Sequence, residues 1–469
     1  MLRGQSQSGS GGKAQPGSAP GEQDALLAEA QSCFGRGELA KAETLLRQVL
    51  ARAPEHPAAL TTLAHIADRT GNLKAAVPLL RRAIAGNPRN VGLHNDLGIV
   101  LARLGDAKQA AGAFRRAIEI NPDDPATHTN LGIWHQHNGA IDAAVKEFRR
   151  ALEIDPRHLT ARLNLSLTLQ KAVAPWHFPM MNDAPRNALY DEAIRRIAPG
   201  RSVLDIGTGA GLLAMMAARA GARWVASCEA EPWIAAKARE VVTLNGLGDR
   251  ITLIGKRSTE LAIGRDLRER AEVLVTEIFG TTCINEHVIP TIEHAHAELL
   301  RPDAIVVPRA ASLRGYLAGG PALEGYFFVD RAAGFELTPF NEFAQPTMGL
   351  PINNLPHEVL SDDFEIFRFD LTEPRFAAAE RIIEVSARRA GRCFGVVQWL
   401  RLELGEDITY ENRPRPGPTI DSWGHMLHSF SRPIALDVGE RLRLLAAHNR
   451  QHFLICDLAA EAAGASAPR

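Results

Sequence analysis

Three glycines at alternate positions, Gly207, Gly209 and Gly211, follow an apolar run containing Asp205 and precede Leu212 and Leu213 in the stretch VLDIGTGAGLL. Glycine takes positive φ freely and lets a ligand come closer than any Cβ would allow. A strand, a glycine turn and a helix in this order form a nucleotide-binding corner. A dinucleotide fingerprint needs glycine or alanine three residues after its second glycine, and that position is Leu212. No P-loop lysine stands nearby to meet a phosphate. Asp205 and Glu229, the acid after the next apolar run, would repel a pyrophosphate, whereas Glu229 can accept both ribose hydroxyls. The charges therefore suit a cationic sulfonium nucleoside, S-adenosylmethionine.

The elements that must hold these groups follow from the alternation of patterns. After the strand of the glycine corner come a strand at 224–228, a helix at 232–244, and strands at 251–254 and 273–276. Such alternation predicts a parallel, doubly wound α/β sheet with ligands outside the carboxyl ends of its strands. Asp205, Glu229, Glu260 and Glu277 all fall at or just after such ends. Upstream, Pro185 after Asn182 and Asp183 reads as the first turn of a helix carrying Arg186, with Asp183 a possible N-cap.

Residues 1–21 are Gly, Ser, Gln and Pro with little to bury, and predict a disordered tail. From there a period of 34 appears: Pro54, Pro88, Pro122 and Pro156 recur at that interval, as do Gly37, Gly71, Gly105 and Gly139, and Ala42, Ala76, Ala110 and Ala144. This is the tetratricopeptide period, with Ala30, Ala64, Gly98 and Gly132 at the eighth position. Four repeats and a capping helix are expected over 22–171, an all-α solenoid that either binds a peptide or protein on its concave face or serves only as a scaffold orienting the next domain. Asp96, Asn130 and Asn164 stand at the sixth position, either as a short polar ladder for a peptide backbone or as solvated polar residues of the inner face. It resembles the asparagine ladder of the repeats in O-linked N-acetylglucosamine transferase.

After Pro308 the texture changes to alternating strands at 312–318, 381–387 and 396–404 between Pro and Gly turns. An antiparallel β domain is expected over 309–458, with a proline-rich excursion at 334–358 and a frayed end at 459–469.

Composition sets the bounds. The 469 residues suffice for about three domains. A net charge of −1 gives no footprint for nucleic acid or an acidic membrane. The five cysteines, Cys33, Cys228, Cys283, Cys393 and Cys456, are scattered without metal-ligand spacing, so neither a metal site nor a disulfide framework is indicated and a reducing, cytoplasmic setting is expected. No apolar run of 18 residues suggests a membrane span.

The segment VTEIFGTTCINEHVIP, behind VLDIGTGAG and ahead of a β domain, resembles the double-glutamate loop of the protein arginine methyltransferases, and the resemblance covers about 176–458. It implies an α/β methyltransferase domain over 172–308, followed by a β-barrel-like domain. Glu277 and Glu286, nine residues apart, would hold the target guanidinium. A guanidinium stays protonated at physiological pH and is a poor nucleophile until its charge is localised. Two carboxylates on one side of its plane would do that and leave one terminal nitrogen facing the donor methyl.

The resemblance implies further roles. Met180 and Asp183 would belong to a helix closing over the cofactor, Arg186 would bind the methionyl carboxylate, and Glu260 would meet the adenine amino group. Trp423 would wall the substrate pocket beside Met180. The excursion at 334–358 would be a dimerisation arm, giving a homodimer. One departure stands out: the family's Thr-His-Trp segment corresponds to Asp421, Ser422 and Trp423, so the histidine usually paired with an aspartate such as Asp183 is replaced by serine. His425 is either its substitute or a surface histidine. The expected function is methyl transfer from S-adenosylmethionine to an exposed arginine of a protein substrate. The rivals are a scaffold that binds the cofactor without turnover, and a methyltransferase for lysine or a small molecule.

Overall fold

A computed structural model describes residues 21–417 and 423–458. The expectations for the N-terminal tail up to residue 20, for 459–469, and for Asp421 and Ser422 lie outside the described residues. The chain divides into two compact units, one up to Val173 and one from Ala174.

Among the described residues the first unit is a run of nine helices: α1 (Glu22–Arg36), α2 (Leu39–Arg52), α3 (Pro57–Arg69), α4 (Leu73–Gly86), α5 (Val91–Arg103), α6 (Ala107–Ile120), α7 (Pro125–His137), α8 (Ile141–Ile154) and α9 (Leu159–Ala172). The four periodic glycines Gly37, Gly71, Gly105 and Gly139 take φ of 73–83° in the turns inside each repeat. The eighth-position residues explain themselves by contact. A Cβ on Gly98 would lie 2.6 Å from the Phe114 ring, and one on Gly132 would lie 2.6 Å from Phe148. In the first two repeats the helix pair carries Ala30 with Leu46 and Ala64 with Leu80 instead, all fully buried or nearly so. The smaller partner permits the larger residue.

The sixth-position side chains are tied into the array. His65 Nε2 lies 2.8 Å from Asp96 Oδ2, Asn130 Nδ2 donates to Asn95 Oδ1 at 3.2 Å, and Asn164 Nδ2 donates to the Thr160 carbonyl at 2.8 Å.

In the second unit, α10 (His177–Asn182) and α11 (Ala184–Ile197) lead into a five-stranded sheet. Its strands are β1 (Ser202–Ile206), β2 (Trp224–Cys228), β3 (Ile251–Ile254), β4 (Ala271–Thr276) and β5 (Leu300–Val307), in the order β3-β2-β1-β4-β5 and parallel throughout. Three helices, α12 (Leu212–Arg219), α13 (Pro232–Leu244) and α14 (Val288–His294), connect them. The order reverses between β1 and β4, and the crevice at such a switch point is where α/β sheets take ligands. The glycine corner leaves β1 there, and Glu277 follows β4.

The remainder is antiparallel. Beyond β6 (Ala310–Gly319) come α15 (Pro321–Phe327) and the strands β7 (Arg331–Ala332), β8 (Phe335–Glu336), β9 (Thr347–Leu350), β10 (Glu358–Val359) and β11 (Phe364–Asp370). Then follow β12 (Ala379–Ser386), β13 (Gly391–Glu403), β14 (Thr409–Glu411), β15 (His425–Leu436), β16 (Arg441–His448) and β17 (Phe453–Asp457). One sheet runs β10-β6-β13-β15-β9, with β11 on β6 and β14 on β13, and a second runs β12-β16-β17. No pairing among the described residues closes either sheet into a barrel. Within the excursion at 334–358, residues 347–350 return to the larger sheet as β9, paired with β15. No helix among the described residues is long and apolar enough to cross a membrane.

Candidate active site

The glycine corner is built by close approach. Gly207 has φ of 85°, and a Cβ on it would lie 2.4 Å from Ile278 Cγ2, so β1 and the segment after β4 touch only because this residue is glycine. Gly209 and Gly211 also take positive φ. Glu229, just past β2, accepts from the Gly209 amide at 3.0 Å on one oxygen and from the Glu231 amide at 3.1 Å on the other. A cavity of about 330 Å³ opens here, lined by Gly207, Glu229, Ser258, Thr259 and Glu286 among others.

Asp205 lies behind this corner rather than in the lining. Its side chain is wholly buried in β1, opposite Ser227 of β2, whose hydroxyl donates to Oδ2 at 2.6 Å. Its other oxygen has no hydrogen-bond partner among the described residues. Burial pushes the carboxyl up to about 7, against the Ser227 bond and helped by the charges of Glu229 and Glu277. Glu260 is exposed on a 3-10 turn, Ser258–Glu260, from which Ser258 and Thr259 reach the cavity.

Glu277 is met by Arg186. Arg186 Nη2 lies 3.0 Å from Glu277 Oε2, with the two side chains 3% and 4% exposed. Asp183 caps α11 by accepting from the Arg186 amide at 3.0 Å, which fixes where the guanidinium starts. That guanidinium sits over the Tyr190 ring at 4.8 Å and the Trp423 ring at 5.9 Å. Burial raises the Glu277 carboxyl above the ordinary carboxylate value, and Arg186 opposes the rise.

Glu286 makes no ion pair with Arg186 among the described residues, and it lines two cavities. One is the cavity at the glycine corner. The other, of about 470 Å³, is lined by Trp176, Pro179, Phe279, Asn285, Glu286 and Trp423 among others. Glu286 is open to these spaces, yet the protein around it and the nearby Glu277 charge raise its carboxyl pKa. The loop that carries it is held in an unusual shape: Cys283 and His287 have φ of 67° and 58°, two of the four non-glycine residues at positive φ among the described residues. A Cβ on Gly280 would fall 2.1 Å from Asn285 Oδ1, so Asn285 folds over a glycine.

Met180 is half-buried on α10, and it is Trp176 and Pro179 of that segment that line the aromatic cavity. Trp423 lines it too, its indole N–H donating to the Phe279 carbonyl. His425 is buried, with Nε2 donating to the Asn412 carbonyl at 2.7 Å. Two residues at the site carried no local sequence signal. Tyr410, 227 positions from Asp183, donates its hydroxyl to Asp183 Oδ2 at 2.5 Å, and Asn285 lies in the cavity lining.

The comparisons with known proteins agree with this architecture. Tetratricopeptide repeat family models match residues 34–77, 61–125 and 126–158, and a ribosomal protein L11 methyltransferase (PrmA) model matches 189–304. The chain is 38% identical over 279 residues to an arginine N(omega)-methyltransferase of Streptomyces achromogenes subsp. streptozoticus, covering 59% of this chain and 76% of that protein. It is 35% identical over 341 residues to protein arginine N-methyltransferase 7 of Drosophila grimshawi, covering 60% of this chain and 48% of the relative. The chain thus spans about half the length of such Drosophila relatives. Among solved structures, the PRMT1 enzyme-prozyme heterotetrameric complex of Trypanosoma brucei with AdoHcy shares the fold at a TM-score of 0.54 and 21% identity, over 61% of this chain and 93% of that one. By the extent and level of the likeness to the Streptomyces enzyme, the chain belongs to the protein arginine methyltransferase family.

Proposed function

We propose that this protein transfers a methyl group from S-adenosylmethionine to a guanidinium nitrogen of arginine in a protein substrate. The single observation that carries the reading is the place of Glu286, a carboxylate bordering both the glycine corner and the aromatic cavity. The corner fits the cofactor on its own terms: a cavity of about 330 Å³ lined by Gly207 and Glu229, whose carboxylate is already held on the backbone amide of Gly209. When bound, the cofactor supplies an electrophilic methyl carbon on a sulfonium. Glu229 would take the ribose hydroxyls, and Arg186, on α11, would take the methionyl carboxylate.

The chain's own residues then do three things. Trp176, Phe279 and Trp423 wall the cavity and exclude water from a flat cation. Glu286 holds that cation by charge-assisted hydrogen bonds and draws its charge away from the attacking nitrogen. After transfer the methylated group carries one proton too many, and Glu286, with its raised pKa and open flank, accepts it from nitrogen. Glu277 would complete the grip once Arg186 turns to the cofactor.

An arginine within a chain suits this cavity better than the free amino acid. Glu286 is its only charged lining residue among the described ones, so no cation meets an α-carboxylate. We assign protein recruitment to the repeats, a reducing cytoplasm to the scattered spacing of the five cysteines, and homodimerisation to the arm at 334–358, where Phe335, Phe340 and Phe343 are 70%, 68% and 75% exposed. The test is mass spectrometry of a purified reaction offered arginine-containing peptides, lysine peptides and free arginine. Methylarginine in the peptides is the expected product; cofactor binding without any product would favour the scaffold.

A further inference from the structure

Asp183 stands where the family resemblance calls for a histidine partner, and position 422 is serine. The carboxylate is 3% exposed and already engaged: Oδ1 accepts from the Arg186 amide at 3.0 Å and Oδ2 accepts from the Tyr410 hydroxyl at 2.5 Å. A phenol on a carboxylate at this length is a strong, charge-assisted bond. Tyr410 is itself fixed. It is the middle residue of β14, in register with Leu402 of β13, and is 4% exposed.

We propose that Tyr410 is a positioning residue for methyl transfer, filling the place of the absent histidine by holding Asp183 rather than by moving a proton. The argument is a closed circuit of buried groups. Asp183 caps α11 and sets the start of Arg186, whose guanidinium meets Glu277 at 3.0 Å. Two residues after Glu277, the Phe279 carbonyl accepts from the Trp423 indole. The Trp423 ring lies 5.6 Å from that of Tyr410 at 56°, and the Tyr410 hydroxyl returns to Asp183. The circuit joins the helices over the glycine corner to the double-glutamate loop, because His177 of α10 comes within 4.0 Å of a Cβ built on Gly209. The Asp183–Tyr410 bond is a buried link that ties the start of α11 to the β region across 227 positions of sequence, beside the exposed Arg196–Asp407 pair at 2.7 Å near the other end of that helix. Loss of the hydroxyl releases the start of α11 and with it the aim of Arg186.

The proposal rests on the methyltransferase reading, and its test separates the two. Tyr410→Phe keeps the ring against Trp423 and deletes only the donor. Asp183→Asn keeps an acceptor for the Arg186 amide and removes the charge. Full-length chains carrying each change and both together are titrated with S-adenosylhomocysteine, which needs no turnover, and then assayed on an arginine peptide. Each single variant should bind the nucleoside about tenfold more weakly, as loss of one hydrogen bond to a charged group implies, while the peptide KM changes less than twofold. The double variant should be no worse than either single one. Wild-type-like binding by Tyr410→Phe, multiplicative losses in the double variant, or unfolding of both single variants would overturn it. Absence of methylation by the unaltered chain would count against the enzyme reading alone.

Discussion

The guanidinium of Arg186 lies 3.0 Å from the carboxylate of Glu277, both almost wholly buried, whereas Glu286 faces two cavities. The two glutamates of the loop therefore carry different burdens, and conservative amides should separate them. Glu286→Gln removes charge from a group open to the cavities, and should lower arginine methylation by about tenfold to a hundredfold with little change in melting temperature. Glu277→Gln should cost similar activity and also leave Arg186 buried opposite a neutral partner, a loss on the order of 3 kcal/mol. Denaturant titration alongside the assay distinguishes them. Equal stability of the two variants would mean that the Arg186 pair does not hold in solution.

Asp205 should make stability fall with pH. Burial raises its carboxyl from 3.8 to about 7, so the folded chain keeps a proton that the unfolded chain has released between those values. The contribution is complete below pH 3.8 and is lost as pH rises through about 7. Asp205→Asn is neutral throughout and should gain on the unaltered chain as pH goes from about 5 to about 8. Melting curves of the two chains across that window check this, and parallel curves would contradict it.

What could be read from the sequence was whatever depends on neighbours along the chain. The 34-residue period, the glycine corner and the order of acids at or just after the ends of β1, β2, β3 and β4 are local patterns, and each marks the element that carries it. The roles of those acids were less legible because they depend on what arrives from elsewhere. Asp205 belongs to the glycine motif in sequence, yet its alternation in β1 turns it inward toward Ser227, away from the cavity. Glu260 lies in the right turn, but Ser258 and Thr259 face the space. Tyr410 was invisible because its partner is 227 positions away and a tyrosine in a short strand reads as ordinary core.

The aromatic residues of the arm make a claim about assembly. Phe335, Phe340 and Phe343 expose about 70% of their surface, while β9, a few residues on, is anchored in the larger sheet. A cluster of this kind on an anchored projection is costly to leave in water. Replacing all three with serine should convert a dimer to a monomer without altering the melting temperature of the second unit. Light scattering on the unaltered chain and the variant gives the answer, and an unaltered chain that is monomeric at every concentration removes the idea.

The repeats allow a prediction of rescue. Gly98→Ala places a methyl 2.6 Å from the Phe114 ring between two packed helices, and should destabilise the first unit by about 1–3 kcal/mol. The equivalent pair one repeat earlier is Ala64 with Leu80, both buried, so the fold already contains the solution. Gly98→Ala combined with Phe114→Leu should recover most of the loss, although Phe114→Leu alone leaves a gap beside the glycine and lowers stability. Urea unfolding of the full chain, followed by helical circular dichroism, measures all three variants. If the double variant is as unstable as the sum of the singles, the glycine is required by the helix crossing itself and not by the ring it faces.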